Sequence, residues 1–354
     1  MRLSLAALAI AGFARALAAQ ATFATYTGDA RNTVVVQDAG VGGGVNNALY
    51  LPPATDNNYS GVVNLWFRNA AGAVTSACTG SLLSTRKILT AGHCVSTSTN
   101  TVVHTSFTAR FRNANGTFTE VNGTGFAVQQ NYSGAVLEEQ DVAVLTLSAD
   151  APATARTYTL FAGNPLVDYT LAGYGRIGTG LTGDNTSAGQ FNAVNTLRAA
   201  QNRFETTGRD DQTFATIASG AAAATYGGIL LSDFDPIGGS ASSFTCGGLG
   251  FCDNGRALLE GAVGRGDSGG AAFSSTWQVL GVASWGSSFD GVNLNQYNAD
   301  FGYACVANFA ANSRCLANYN FVMAQVVPEP STYALMATGL VGLIGLARRR
   351  NARA

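Results

Sequence analysis

Short apolar segments recur along the chain between clusters of Gly, Asn, Ser and Thr. Residues 62–67, 81–83, 88–90, 102–111, 142–147, 169–172, 271–273 and 278–285 form such runs, each bounded by turn-forming residues. Many short strands in this arrangement predict an all-β sandwich or barrel. Residues 174–246 are rich in Gly, Ala, Thr and Asn, with weaker periodicity, and read as strands and surface loops of the same domain. A terminal helix is expected over 315–325, with Leu316, Tyr319, Phe321 and Val322 available for packing. No internal repeat at solenoid periods is present.

Composition sharpens this picture. At 354 residues and 47% hydrophobic, the chain can bury a substantial core. Charged residues make up only 12% and there are 43 glycines, a balance that favours strands and turns over surface helices.

The two ends carry sorting features. Residues 1–18 read as a signal peptide for signal peptidase: Arg2 is followed by an apolar stretch over 3–13 and by Ala16-Leu17-Ala18. At the other end, the tail 327–354 contains Pro328-Glu329-Pro330, an apolar run over 333–347, and Arg348-Arg349-Arg350. A helix of about 15 residues reaches only ~22 Å, short of the ~30 Å hydrocarbon core, so a permanent span is strained; transient membrane association is expected, with a simple C-terminal anchor as the alternative. Motif, run and basic cluster in this order resemble the PEP-CTERM sorting tail of Gram-negative bacteria. The resemblance implies processing by an exosortase-like membrane peptidase and export to the periplasm, the cell surface or the medium. Without Arg2, Arg15, Arg348, Arg349, Arg350, Arg353 and Glu329, acidic residues outnumber basic ones by about six. No basic stripe remains to replace counterions, so a nucleic-acid partner is not expected.

Six cysteines in an exported chain suit an oxidising compartment. Spacing suggests Cys78 with Cys94, Cys246 with Cys252, and Cys305 with Cys315. Metal binding is the rival reading, but C-x-x-C and H-x-x-x-H spacings are absent and the chain has only 2 histidines.

Those histidines narrow the chemistry. His93 lies in Leu89-Thr90-Ala91-Gly92-His93-Cys94, directly after an apolar strand and beside a cysteine that can tether the loop. His104 falls inside the 102–111 run and reads as an ordinary strand residue. A nucleophile is offered by Gly264-Arg265-Gly266-Asp267-Ser268-Gly269-Gly270, where glycines permit a tight turn. In such a turn the N–H groups of Gly266 and Ser268 would bind a developing oxyanion. This run also satisfies the G-x-S-x-G elbow of α/β-hydrolases, but that fold requires a histidine after the serine. None follows Ser268. Asp141 leads the apolar run Val142-Ala143-Val144-Leu145 and is the candidate carboxylate that orients His93.

Together, Cys78-Thr79-Gly80-Ser81-Leu82-Leu83, the His93 block, Asp141-Val142-Ala143-Val144-Leu145 and Gly266-Asp267-Ser268-Gly269-Gly270 resemble the trypsin/chymotrypsin serine proteases. Gly173-Tyr174-Gly175 and Val282-Ala283-Ser284-Trp285-Gly286 add to the likeness. The resemblance covers 60–326 and implies two packed six-stranded antiparallel barrels with a C-terminal helix. It also implies a His93, Asp141 and Ser268 triad acting on polypeptides without a cofactor or metal. Ser284, Trp285 and Gly286 would then lie along substrate, with Ala262 at the floor of the specificity pocket where trypsins carry an acid. Glu260 is close enough to supply an acid after a small shift, so specificity stays open. Relatives often complete the oxyanion hole when a newly cut amino terminus pairs with the residue equivalent to Asp267. Here Val41-Gly42-Gly43-Gly44 only faintly resembles the usual new terminus, and 19–59 is read as an N-terminal segment or a pro-segment. The expected function is an exported serine endopeptidase; the alternative is a catalytically silent trypsin-like binding or matrix protein displayed at the surface.

Overall fold

In barrel strands such as Val62–Arg68 and Ala143–Leu147, neighbouring side chains leave for opposite sides, and both sides are largely buried. The computed structural model describes residues 32–37, 39–44, 46–97, 101–134, 138–181, 183–184, 195–208, 227–234, 237, 256–288, 299–327 and 338–341. The first strand, β1 (Asn32–Val36), belongs to a sheet of the second half. It is followed by β2 (Val62–Arg68), β3 (Val74–Ser84), β4 (Lys87–Thr90), β5 (Ser106–Arg112), β6 (Phe118–Val128) and β7 (Ala143–Leu147), which close into a barrel in the order β2-β3-β4-β7-β6-β5. Along β2, Val63, Leu65 and Phe67 fill the barrel, and in β7 Ala143, Leu145 and Leu147 do the same. Their neighbours Val62, Val142 and Val144 face a second cluster shared with the other half of the molecule. Strands buried on both faces read as continuous apolar runs, which is why these segments stood out in the sequence. Each fully buried Val, Leu or Phe contributes roughly 1.5–3 kcal/mol.

The second half contains β8 (Asp168–Gly173), β9 (Ile177–Thr179), β10 (Gly183–Asp184), β11 (Arg198–Arg203), β12 (Thr206–Gly208), β13 (Ile229–Phe234), β14 (Gly261–Gly264), β15 (Ala271–Phe273), β16 (Val279–Ser288) and β17 (Ala299–Cys305). Among the described residues they form a seven-stranded sheet, β11-β8-β15-β16-β17-β13-β12, and a four-stranded sheet, β10-β9-β1-β14. The all-β architecture expected from the chain is present, with its first barrel closed. Tyr169, Phe204 and Tyr303 pack ring to ring in the second core, Tyr169 stacking on Phe204 at 4.0 Å between centroids.

Helix α1 (Ser313–Val326) begins at Asn312, whose side chain accepts from the amides of Arg314 and Cys315. Capping of this kind satisfies otherwise orphaned first-turn donors. A disulfide joins Cys315 to Cys305 at the end of β17. From the helix, Asn318 donates to the carbonyl of Glu139 at 2.6 Å and Arg314 meets the Glu139 carboxylate at 3.2 Å. The terminal helix thus holds the segment that leads into Asp141.

Some expectations change. The 102–111 run starts as a strand only at Ser106; before it, Val103 donates to the carbonyl of Val95, and Val102 forms an isolated bridge with Ser96. His104 is therefore not a strand residue. Its ring stacks on Phe67 at 5.0 Å and its Nδ1 lies 3.3 Å from the Thr75 hydroxyl. Strand β6 was not among the apolar runs because the exposed polar residues Thr119, Glu120 and Asn122 interrupt it on both faces. The 1–18 leader, Cys246, Cys252 and the Pro328-Glu329-Pro330 motif lie outside the described residues. Among the described residues, no helix is long and apolar enough to cross a membrane.

Candidate active site

His93 occupies a 3-10 turn, Gly92–Cys94, directly after β4. The Cys94–Cys78 disulfide, with a sequence separation of 16, ties that turn back to β3. A loop of this size gains about 3 kcal/mol from its cross-link in the chain-entropy model, and here the constraint falls beside the imidazole. Asp141 is fully buried and grips the turn twice: Oδ1 accepts from the His93 amide at 2.7 Å, and Oδ2 meets His93 Nδ1 at 2.6 Å. Space at Gly92 is tight: a Cβ there would lie 3.0 Å from the Tyr132 ring and 3.1 Å from Asp141 Oδ1. With Nδ1 engaged by a carboxylate, the imidazole carries its exchangeable acceptor site on Nε2. That atom is buried and lacks a hydrogen-bond partner in the protein.

Asp141 has a third donor. The Ser284 hydroxyl, from β16, reaches Oδ2 at 2.5 Å. Ser284 is one of the residues expected along the substrate; its side chain braces the carboxylate. Negative charge on Asp141 also helps, after burial, to push the Tyr132 hydroxyl well above its ordinary pKa.

Ser268 lies on the turn between β14 and β15, against the barrel. Its carbonyl accepts from the Thr79 amide at 2.9 Å, and the carbonyl of the preceding Gly266 accepts from the Thr79 hydroxyl at 2.9 Å. Gly266 has φ 105° and Gly269 φ 78°, both left-handed. At Gly269 a Cβ would also come within 2.0 Å of Thr90 Oγ1 and 2.6 Å of the Ala91 amide nitrogen. Only glycine fits there.

The turn's carbonyls are all anchored. Arg265 O accepts from Arg176 N at 2.9 Å, and Asp267 O accepts from Gly270 N at 2.6 Å. Because a trans peptide is planar with N–H and C=O opposed, these anchors aim the N–H groups of Gly266 and Ser268 away from Arg176 and Gly270. Asp267 is buried beneath the turn, its Oδ1 accepting from Gly175 N at 3.0 Å and its Oδ2 from Gly264 N at 3.3 Å. Burial pushes its pKa up to about 7, against the Gly175 amide and the positive charge of Arg198.

Ala262 is buried in β14, opposite Val35 of β1. Trp285 is buried too, its indole covering Gly302 of β17 so closely that a Cβ there would lie 2.4 Å from Trp285 Nε1. Gly286 follows in β16, opposite Phe301. Glu260, the alternative pocket acid, is buried at the start of β14 and accepts from the Arg256 amide at 3.1 Å. The chain thus brings His93, Asp141, Ser284 and the Ser268 turn to the seam between the two halves. Sequence reasoning missed Arg198, for which the only signal was a lone arginine heading an otherwise apolar Leu197-Arg198-Ala199-Ala200 stretch.

Residues 53–228 match the family described as Trypsin, and residues 326–350 match the PEP-CTERM protein-sorting motif. Among solved structures, one similar chain is titled HL collagenase, at 16% identity, with 73% of this chain and 92% of that chain covered and a TM-score of 0.46. No curated protein matches.

Proposed function

As the chain carries a Trypsin domain over residues 53–228, we propose that it is an exported serine endopeptidase that cleaves polypeptides through an acyl-enzyme on Ser268. The observation that carries this reading is the double hold of Asp141 on His93, through the amide at 2.7 Å and Nδ1 at 2.6 Å. A base so fixed presents Nε2 as proton acceptor, and Nε2 is the atom left without a partner. His93 takes the Ser268 proton as Oγ attacks the scissile carbonyl carbon. Asp141 stabilises the imidazolium that forms and does not itself take the proton. Negative charge gathers on the carbonyl oxygen, where the N–H groups of Gly266 and Ser268 receive it; one such donor is typically worth 10²–10³-fold in rate, on the order of 3–4 kcal/mol. His93 then gives its proton to the departing amine, and water repeats the sequence to release the acid.

Substrate backbone pairs along β16. Past Ala283, which exchanges hydrogen bonds with Gly269 and Gly270, β16 is paired on its other side with β17. Residues 284–286 therefore offer an edge to which an extended peptide can add as a strand, with Ala262 nearby as the pocket floor. Export agrees with the PEP-CTERM match and the two disulfides, and an exosortase-like enzyme would process the tail.

A fluorophosphonate probe tests this on the full chain, since it labels only an activated serine. Labelling of the wild type, lost in both Ser268→Ala and His93→Ala, is the expected result. A wild type that folds and stays unlabelled would overturn the reading in favour of a silent trypsin-like binding or matrix protein.

A further inference from the structure

The carboxylate beneath the nucleophile turn lies close to a buried cation. Asp267 Oδ1 fills the space into which a side chain on Gly173 would project, 1.8 Å from that Cβ position. Gly173 pairs across the sheet with Arg198. Directly opposed residues of an antiparallel pair project to one face, so Arg198 rises on the face that holds Asp267. Both side chains are buried, at 7% and 2% exposure. Each charge supports the other: Arg198 favours the ionised carboxylate, and Asp267 favours the charged guanidinium against its burial. An isolated carboxylate in such a place would be strongly disfavoured, and a guanidinium is the one side-chain cation that stays charged there.

Around this pair the turn is already in place. The consecutive amides of Tyr174, Gly175 and Arg176 reach Thr79 Oγ1 at 3.1 Å, Asp267 Oδ1 at 3.0 Å and Arg265 O at 2.9 Å. The chain upstream is woven into the same region. Strand β1 lies between β9 and β14, with Asn32 opposite Gly264 and with Val34 and Val36 buried. Val41-Gly42-Gly43-Gly44 comes after that strand, in a turn closed by Gly44 N to Gln37 O at 2.6 Å.

We propose that Arg198 is the built-in counter-charge of Asp267, a positioning residue that lets the oxyanion-binding turn assemble in the uncut chain without a newly formed amino terminus. The inference rests on the peptidase reading above and specifies its regulation: activity on folding, with no activating cut near 32–44.

The test uses the full chain, with fluorophosphonate labelling and peptide hydrolysis as readouts. Intact mass of the labelled wild type should place its amino terminus before Asn32, and acetylating the α-amine should leave the labelling rate unchanged. Arg198→Met should lower kcat and labelling by about 10²-fold, as for one lost oxyanion donor, with KM nearly constant, and Arg198→Lys should restore only part of the rate, because a buried ammonium gives up its proton more readily than a guanidinium. Labelled molecules that all begin between 32 and 44, or Arg198→Met labelling at the wild-type rate, would overturn the proposal. Should no form label, the peptidase reading fails by itself, and thermal unfolding of Arg198→Met, Asp267→Asn and the double variant still decides the pairing. Losses smaller in the double variant than the sum of the singles support it; additive losses refute it.

Discussion

The Ser284 hydroxyl donates to Oδ2 of Asp141 at 2.5 Å, the same oxygen that meets Nδ1 of His93 at 2.6 Å. With the His93 amide on Oδ1, the buried carboxylate has three close donors contributed by two separate parts of the chain. A carboxylate so held is immobile, and its immobility passes to the imidazole.

Replacing Ser284 by Ala removes one of those donors without opening the site. A hydrogen bond to a charged group is worth about 1.5–3 kcal/mol, so stability should fall by about that amount, and kcat/KM, normalised to folded protein, should fall roughly 10–100-fold as the carboxylate loses its brace. Steady-state hydrolysis beside a urea titration checks both halves of that statement.

Asp141→Asn should be much more severe. The amide can still accept from the His93 backbone, yet it offers Nδ1 an N–H or a weaker acceptor and favours the wrong tautomer. A loss on the order of 10⁴ in kcat is the magnitude known for such a change in a serine protease triad. Equal losses in Asp141→Asn and Ser284→Ala would contradict the assigned roles.

Gly269→Ala tests the nucleophile turn by shape alone. The new Cβ meets Thr90 Oγ1 at 2.0 Å and sits at φ 78°, where L side chains are strained. Overpacking of about 1–3 kcal/mol plus a left-handed cost of about 1–2 kcal/mol should lower the urea midpoint clearly. Labelling of Ser268 should disappear even at temperatures where the variant is folded.

The pH dependence of stability should carry the mark of Asp267. Its folded pKa is pushed up to about 7, chiefly by burial, against an unfolded value near ~3.9. Between these values the folded state holds a proton that the unfolded chain has released. The stabilising contribution of this group is therefore complete below pH ~4 and is lost as the pH rises through 7, the reverse of a salt-bridged surface carboxylate. Arg198 faces Asp267 and opposes the shift, whereas burial keeps the neighbouring Tyr303 neutral throughout. In Asp267→Asn the fall in stability between pH 4 and 7, followed by denaturant titration, should flatten; an unchanged slope would assign it elsewhere.

Opening the Cys78–Cys94 bridge by a double Cys→Ala substitution should cost about 3 kcal/mol and reduce labelling beyond what unfolding explains, because the bridge anchors the His93 turn. Activity normalised to folded fraction separates the two effects.

What the sequence determined by itself was local. Strands buried on both faces, such as β2, β4 and β7, appear as mostly apolar runs. The residues around His93, Asp141 and Ser268 are recognisable because each group's immediate neighbours, a tethering cysteine, a following buried strand and flanking glycines, are what its geometry requires. Helix α1 was legible within two residues at its start, which Asn312 fixes by capping. Strand β6 was not, since a strand whose polar residues Thr119, Glu120 and Asn122 reach solvent on both faces resembles a loop.

Tertiary structure decided the rest. Ser284 lies 143 residues from Asp141, and Asp267 lies below a strand whose partner carries Arg198; neither relationship leaves a trace in spacing. The insertion of β1, which lies within the 19–59 segment, between β9 and β14 was likewise invisible in the sequence. The physical reason is the same in each case. Periodicity and turn chemistry are written by neighbours a few residues apart, while the pairing of buried charges and the order of strands in a sheet are set only when the two halves close on one another.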